Sequence, residues 1–215
     1  MTKLISVAID SPAAAGAGTQ AKLIAKHYNL FYLDTGKIYR FVGFLKIKYK
    51  RKFNYILVKK KINNLKIGQL QKKKLLSNNV ATIASVIAKD KKIRKIVHNF
   101  QTKCAYKPPK NFNGSILDGR DITSVIMKDA MFKFFITANI KTRANRRYKE
   151  LKSLNIKTSY EEVLKTIKKR DKNDYNRKIS PLKKTKDSTL INTTNLSKRS
   201  CFLKIKQIMD KKLNF

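Results

Sequence analysis

Leu4-Ile5-Ser6-Val7-Ala8-Ile9 runs into Asp10-Ser11-Pro12-Ala13-Ala14-Ala15-Gly16-Ala17-Gly18-Thr19, and the reading of this stretch decides the fold. The first six residues form a short apolar run of the kind that makes a buried strand. After Thr19, the residues Ala21, Ile24, Ala25 and Tyr28 recur at helical spacing. Strand, small-residue turn and helix are the setting in which successive backbone N–H groups and a helix N-terminus cradle phosphate oxygens. The phosphate-loop pattern G-x-x-x-x-G-K-[ST] asks for glycine where Ser11 stands and for lysine where Ala17 stands. Taken alone, the stretch reads equally well as a plain small-residue turn.

Working outward, apolar runs suggest strands at 31–33, 115–118, 133–137 and 189–192. Helical spacing covers 18–29, 37–48, much of 69–104, 141–153, 160–172 and the C-terminal residues. This alternation predicts an α/β fold, a parallel sheet with helices on both faces. Ser159-x-x-Glu162 is a capping box, and Tyr160, Val163, Leu164 and Ile167 mark one apolar face behind it. That helix delivers Arg170 and Asp174 at its end. From Lys48 to Lys74 the chain is rich in lysine, with only short apolar groups.

Two further blocks join a short strand to phosphate-sized polar groups. They are Tyr32-Leu33-Asp34-Thr35-Gly36-Lys37-Ile38-Tyr39-Arg40 and Leu117-Asp118-Gly119-Arg120-Asp121-Ile122. With them go Ala84-Ser85 followed by Arg94, the strand Phe134-Phe135-Ile136-Thr137-Ala138 and Arg143, Arg146 and Arg147. The charged run Lys169-Arg170-Asp171-Lys172-Asn173-Asp174-Tyr175-Asn176-Arg177 and Ser180-Pro181-Leu182 close the series. In this order and spacing the chain resembles the cytidylate kinase family over nearly its whole length.

The resemblance implies a P-loop kinase-type domain over 1–215, with a shortened monophosphate-binding insertion at about 49–76 and a lid at about 170–182. It implies ATP bound by Ser11, Pro12, Ala13, Ala14, Ala15, Gly16, Ala17, Gly18 and Thr19. It implies CMP or dCMP held by Thr35, Arg40, Ser85, Arg94, Arg120, Asp121, Arg170 and Asp174. Arg40 and Arg120 would grip the acceptor phosphate, Arg170 would close from the lid, and Arg177 would meet the transferred group. Asp121 would accept from the cytosine amine, while Arg94 and Ser85 face its acceptor edge. Asp174, with Arg170, would hold the ribose. No residue binds a metal directly in this reading, but Asp10, Asp34 and Asp118 would hold the waters of a Mg2+ ion carried with ATP. Arginine suits such work because its planar fork grips two oxygens and keeps its proton.

Ala17 cannot replace a charge, and Lys37 is the candidate stand-in because it falls inside the Asp34-to-Arg40 block. The alternative is a catalytically weak nucleotide-binding relative. Composition suggests another class: a net charge of +38 on 215 residues is ordinarily a nucleic-acid signature. Here the lysines are spread along the chain in tracts with asparagine and isoleucine, and no nucleic-acid motif accompanies them, so RNA binding is the lesser reading. No run of some 18 apolar residues exists, and Met1-Thr2-Lys3 leads straight into the first strand, which predicts a cytoplasmic protein without membrane partners. Cys104 and Cys201 lack metal or disulfide spacing, and His27 and His98 are isolated. A monomer is implied by the resemblance.

Overall fold

The computed structural model describes residues 4–214. The chain divides into two compact units, one made of Met1–Leu33 with Pro108–Phe215 and the other of Asp34–Lys107.

The first unit is built on a five-stranded sheet in the order β2-β3-β1-β4-β5. Its strands are β1 (Ile5–Asp10), β2 (Phe31–Asp34), β3 (Gly114–Gly119), β4 (Phe132–Thr137) and β5 (Thr189–Asn192). β1 pairs in parallel with β3 and with β4, and β4 pairs in parallel with β5. The central strands are buried on both faces, which is why they read as continuous apolar runs rather than alternating ones. Gly114 starts β3 where a Cβ would fall 1.9 Å from the Ile5 carbonyl oxygen, so the strand pair closes only around glycine.

Helices α1 (Ala17–Tyr28) and α8 (Lys198–Leu213) lie against one another. Ile24, Ala21, Cys201, Ile205 and Met209 join Val7, Ile9 and Phe134 in the main core. A second apolar cluster joins α6 (Ile140–Ser153) to α7 (Tyr160–Asn176) through Ala144, Leu151, Val163 and Ile167, and it includes Ala13 of the first loop. Ser159 and Glu162 form the capping box expected at the start of α7. The helix runs four residues past the expected end, so Asp174 lies within its last turn.

The second unit is helical: α2 (Thr35–Tyr49), α3 (Tyr55–Asn63), α4 (Asn78–Ile87) and α5 (Lys91–Tyr106), with short 3-10 turns between. Each helix starts on a side-chain cap, from Asp34, Asn54, Ser77 and Asp90 in turn. Such caps satisfy backbone donors that a helix start leaves open. α2 and α4 pack closely at Gly43, where a Cβ would meet the Val80 carbonyl oxygen at 3.1 Å and the Ala84 nitrogen at 3.2 Å. The lysine-rich segment holds α3, and no strand lies between residues 49 and 76 among the described residues.

Candidate active site

The loop from Ser11 to Gly16 joins β1 to α1 at the end of the central strand. Ala14 and Gly16 both adopt the left-handed conformation, at φ 60° and 94°. Glycine accepts this freely, whereas alanine pays a steric cost of about 1–2 kcal/mol. The loop is held from outside at four backbone groups. Ser11 N–H donates to the Gly119 carbonyl at 3.2 Å, and the Thr193 hydroxyl lies 3.1 Å from the Ala15 carbonyl. Ala13 N–H donates to Asp171 Oδ1 at 3.1 Å, while Arg143 Nη1 donates to the Ala13 carbonyl at 3.0 Å.

Ala17 opens α1 with its methyl group buried against the core. Thr19, two residues on, is exposed. Gly18 sits where a Cβ would be 3.4 Å from the Tyr32 hydroxyl and 3.5 Å from Asp118 Oδ2. Gly18 occupies the hydroxyl position of the general phosphate-loop pattern, and Thr19 follows it in sequence.

Asp10 ends β1 and is fully buried. Its Oδ1 accepts from Ile122 N–H at 2.8 Å, and its Oδ2 accepts from Thr123 N–H at 2.9 Å and the Thr123 hydroxyl at 2.6 Å. Both oxygens are thus given to the single helical turn Ile122–Ile126 that follows β3. The Asp10 carboxylate thereby supports the turn after Arg120 and Asp121. Asp34 likewise places Oδ1 on Lys37 N–H at 3.2 Å, as the cap of α2.

Burial pushes the Asp10 carboxyl up to about 6 from its ordinary 3.8, against the pull of the Thr123 and Ile122 donors, with the nearby Asp121 charge adding to the rise. The folded state therefore holds this proton more tightly than the unfolded state. The contribution to stability is complete below about pH 4 and is lost as pH rises through about 6, amounting to about 3 kcal/mol. Thermal melts of the natural chain and Asp10→Asn across pH 4 to 7 check this. The falling component should vanish in the variant, and parallel profiles would assign it to another group.

After β3, Arg120, Asp121, Asp174 and Arg177 form a charge cluster inside the first unit. Arg120 Nε pairs with Asp174 Oδ2 at 2.8 Å, and its Nη1 donates to the Gly119 carbonyl. Burial alone would lower Arg120, but Asp174, Asp118 and Asp171 hold it above its ordinary value and keep it charged. Arg177 places Nη2 3.6 Å from Asp121 Oδ1 and Nη1 3.9 Å from Asp174 Oδ1, while its Nε donates to the Ser180 carbonyl at 2.5 Å. Only 8% of the Arg177 side chain is exposed. The Arg177 side chain is thus shielded from solvent among these carboxylates. Asp121 thus lies beside Arg177. Arg170 is half-buried on α7.

In the second unit, Arg40 Nη1 donates to the Leu75 carbonyl at 3.1 Å. Arg94 is buried, donates to the Ala88 carbonyl at 3.1 Å and stands 5.6 Å over the Tyr39 ring. Thr35 is buried and Ser85 half-buried. The Lys37 ammonium donates to Gln71 Oε1 at 2.8 Å. Among the described residues, no three His, Cys, Asp or Glu side chains converge as a metal site. No helix among them is long and apolar enough to cross a membrane.

The structure thus joins a small-residue phosphate loop to a carboxylate–arginine cluster on one α/β sheet. A solved structure of an uncharacterized protein from Eubacterium ventriosum shares this fold, at a TM-score of 0.57 and 18% identity, covering 96% of this chain and 98% of that one. Curated proteins named cytidylate kinase are 37% identical to it. The protein from Clostridium botulinum strain Loch Maree matches over 96% of this chain and 95% of its own length, and that from Clostridium perfringens strain 13 over 98% and 100%. The cytidylate kinase family model matches residues 7–211, a span that contains the loop, the charge cluster and the whole helical unit, and the chain belongs to that family.

Proposed function

We propose that this chain transfers the γ-phosphoryl group of ATP to CMP or dCMP, giving ADP and CDP or dCDP, as a cytoplasmic monomer in pyrimidine nucleotide metabolism. The observation that carries the reading is the cluster of half-buried Arg120, Asp174 and Arg177 around buried Asp121. Phosphoryl transfer needs preorganised cations at the moving charge, and an ion-paired arginine is held in place before substrate arrives. A buried carboxylate such as Asp121 suits the amine edge of cytosine. A base that lacks this donor leaves the carboxylate without its hydrogen bond and is rejected.

Ser11 through Thr19 form the proposed ATP loop. Arg40, Arg120 and Thr35 are assigned to the acceptor phosphate, and Asp121, Arg94 and Ser85 to the base. Arg170 and Asp174 are assigned to the ribose and to lid closure, and Arg177 to the transferred group. Lys37 is the proposed stand-in cation and would exchange Gln71 for a phosphate oxygen. Mg2+ fits the donor set, since it keeps most of its waters and needs only one or two carboxylates beside substrate phosphates. Asp118, beside Gly18, would hold it through water with Asp34, and it would neutralise charge on the ATP phosphates. Ala17 and Ser11 favour a weak relative, and the match along residues 7–211 and the retained acceptor groups outweigh them.

Purified protein given ATP and Mg2+ should form ADP with CMP at least about 100-fold faster than with UMP, whose base carries a carbonyl where cytosine carries the amine. Equal rates with CMP, UMP and AMP would overturn the assignment of Asp121 and Arg94 to the base.

A further inference from the structure

Ala13 is gripped at both ends of its backbone by a buried ion pair. Asp171 of α7 accepts its N–H through Oδ1, Arg143 of α6 donates to its carbonyl, and Arg143 Nη1 meets Asp171 Oδ2 at 2.5 Å. Arg143 Nε is fixed in turn on the Ala138 carbonyl at 2.8 Å, at the end of β4. Only 8% of the arginine side chain and 11% of the aspartate are exposed, so the pair lies out of water, where such contacts are strongest. Ala13 precedes Ala14, whose left-handed turn an L residue resists.

A loop with alanine at this turn has an intrinsic bias to relax, and fixing the preceding peptide opposes it. We infer that Arg143 and Asp171 are positioning residues of the donor loop, holding the peptide of Ala13 so that the loop N–H groups stay aimed at the triphosphate although Ala17 supplies no cation. The inference rests on the reading of residues 11–19 as the ATP site. Neither side chain is assigned to the substrate. The helices that carry them are joined independently by Ala144, Leu151, Val163 and Ile167, so the fold does not rely on the pair.

Direct binding of ATP with Mg2+, and separately of CMP, should be measured with Asp171→Asn and with the double variant Arg143→Met/Asp171→Leu. Replacing a buried pair by apolar residues of similar size usually leaves stability unharmed. The double variant should therefore melt within about 4 °C of the natural chain. It should still bind ATP about 10- to 100-fold more weakly, because both hydrogen bonds to Ala13 are gone, with CMP affinity within about threefold. Asp171→Asn keeps an acceptor for Ala13 N–H and should lose about three- to tenfold.

Unchanged ATP affinity in the double variant would overturn the inference and leave the pair a packing element. Should the double variant fail to fold, unchanged ATP affinity in Asp171→Asn would overturn it equally. A natural chain that binds ATP but never phosphorylates CMP overturns the kinase reading and not this one. A natural chain that binds no ATP overturns both.

Discussion

Replacing Ala17 by lysine is expected to raise CMP-dependent ADP formation by about 100- to 1000-fold over the natural chain, the scale by which one preorganised cation or donor changes a transition state. Ala17 is the first residue of α1, at the mouth of a loop bent by Ala14 and Gly16. A backbone cradle binds phosphate, but it supplies no mobile charge to follow the group in transfer. The alanine methyl is packed against the core, so the longer side chain adds an overpacking cost of about 1–3 kcal/mol, and the melting temperature should fall while the rate rises. Its flexible stem can run along apolar neighbours and carry the ammonium clear of them. Lys37→Ala sharpens the comparison. It should abolish turnover in the natural chain and be tolerated in the Ala17→Lys chain, whereas unchanged kinetics in the natural chain would remove Lys37 from the mechanism. An Ala17→Lys protein no faster than the natural one would mean that the donor loop needs no charge at this position.

Arg120→Met is expected to lower kcat/KM for CMP by about 100- to 1000-fold. Arg120 is held charged by Asp174, Asp118 and Asp171 and oriented by the 2.8 Å pair to Asp174 and by the Gly119 carbonyl. Methionine keeps an unbranched stem and removes both the fork and the charge. Steady-state kinetics with CMP varied at saturating ATP read the effect directly, and the affinity for ATP alone should change little. A value within threefold of the natural chain would take Arg120 out of phosphate binding. Arg120→Lys should recover only part of the loss, because a point charge does not reproduce a two-pronged grip.

Much of the fold was legible because the central strands are apolar runs and most helices carry caps and periodic faces. The strand 189–192 has the bounds its sequence suggested, and Ser159 with Glu162 marked the start of α7. α3 was not legible, since its apolar residues cluster in Tyr55–Val58 ahead of three successive lysines instead of recurring at helical spacing, and the cap Asn54 is weak punctuation. The end of α7 was placed early because Asp171, Asn173 and Asp174 are poor helix formers. Burial of Asp171 and the pairing of Asp174 with Arg120 override that propensity.

In the candidate site, Arg120, Asp121 and Asp174 were recognisable and lie together in the first unit, but their partners were not readable. The return of α7 brings Arg177 to Asp121, a contact that no local spacing in the sequence announces. Asp10 looked like a metal-edge carboxylate because it ends a strand beside a phosphate loop. Nothing local reveals that the turn at Ile122–Ile126 takes both of its oxygens. Arg143 and Asp171 stand 28 residues apart, and no spacing rule joins them.

β1 pairs with β3 in the register Ile5↔Gly114, so β1 leaves the ribosome more than a hundred residues ahead of this neighbour. At the ordinary pace of synthesis that interval lasts roughly 5 to 20 s. During it the helical unit, whose partners are near in sequence, can form, while the apolar β1 waits unpaired. A chain carrying a net charge of +38 repels its own copies, and that repulsion protects the nascent strand from edge-to-edge association until its partner arrives.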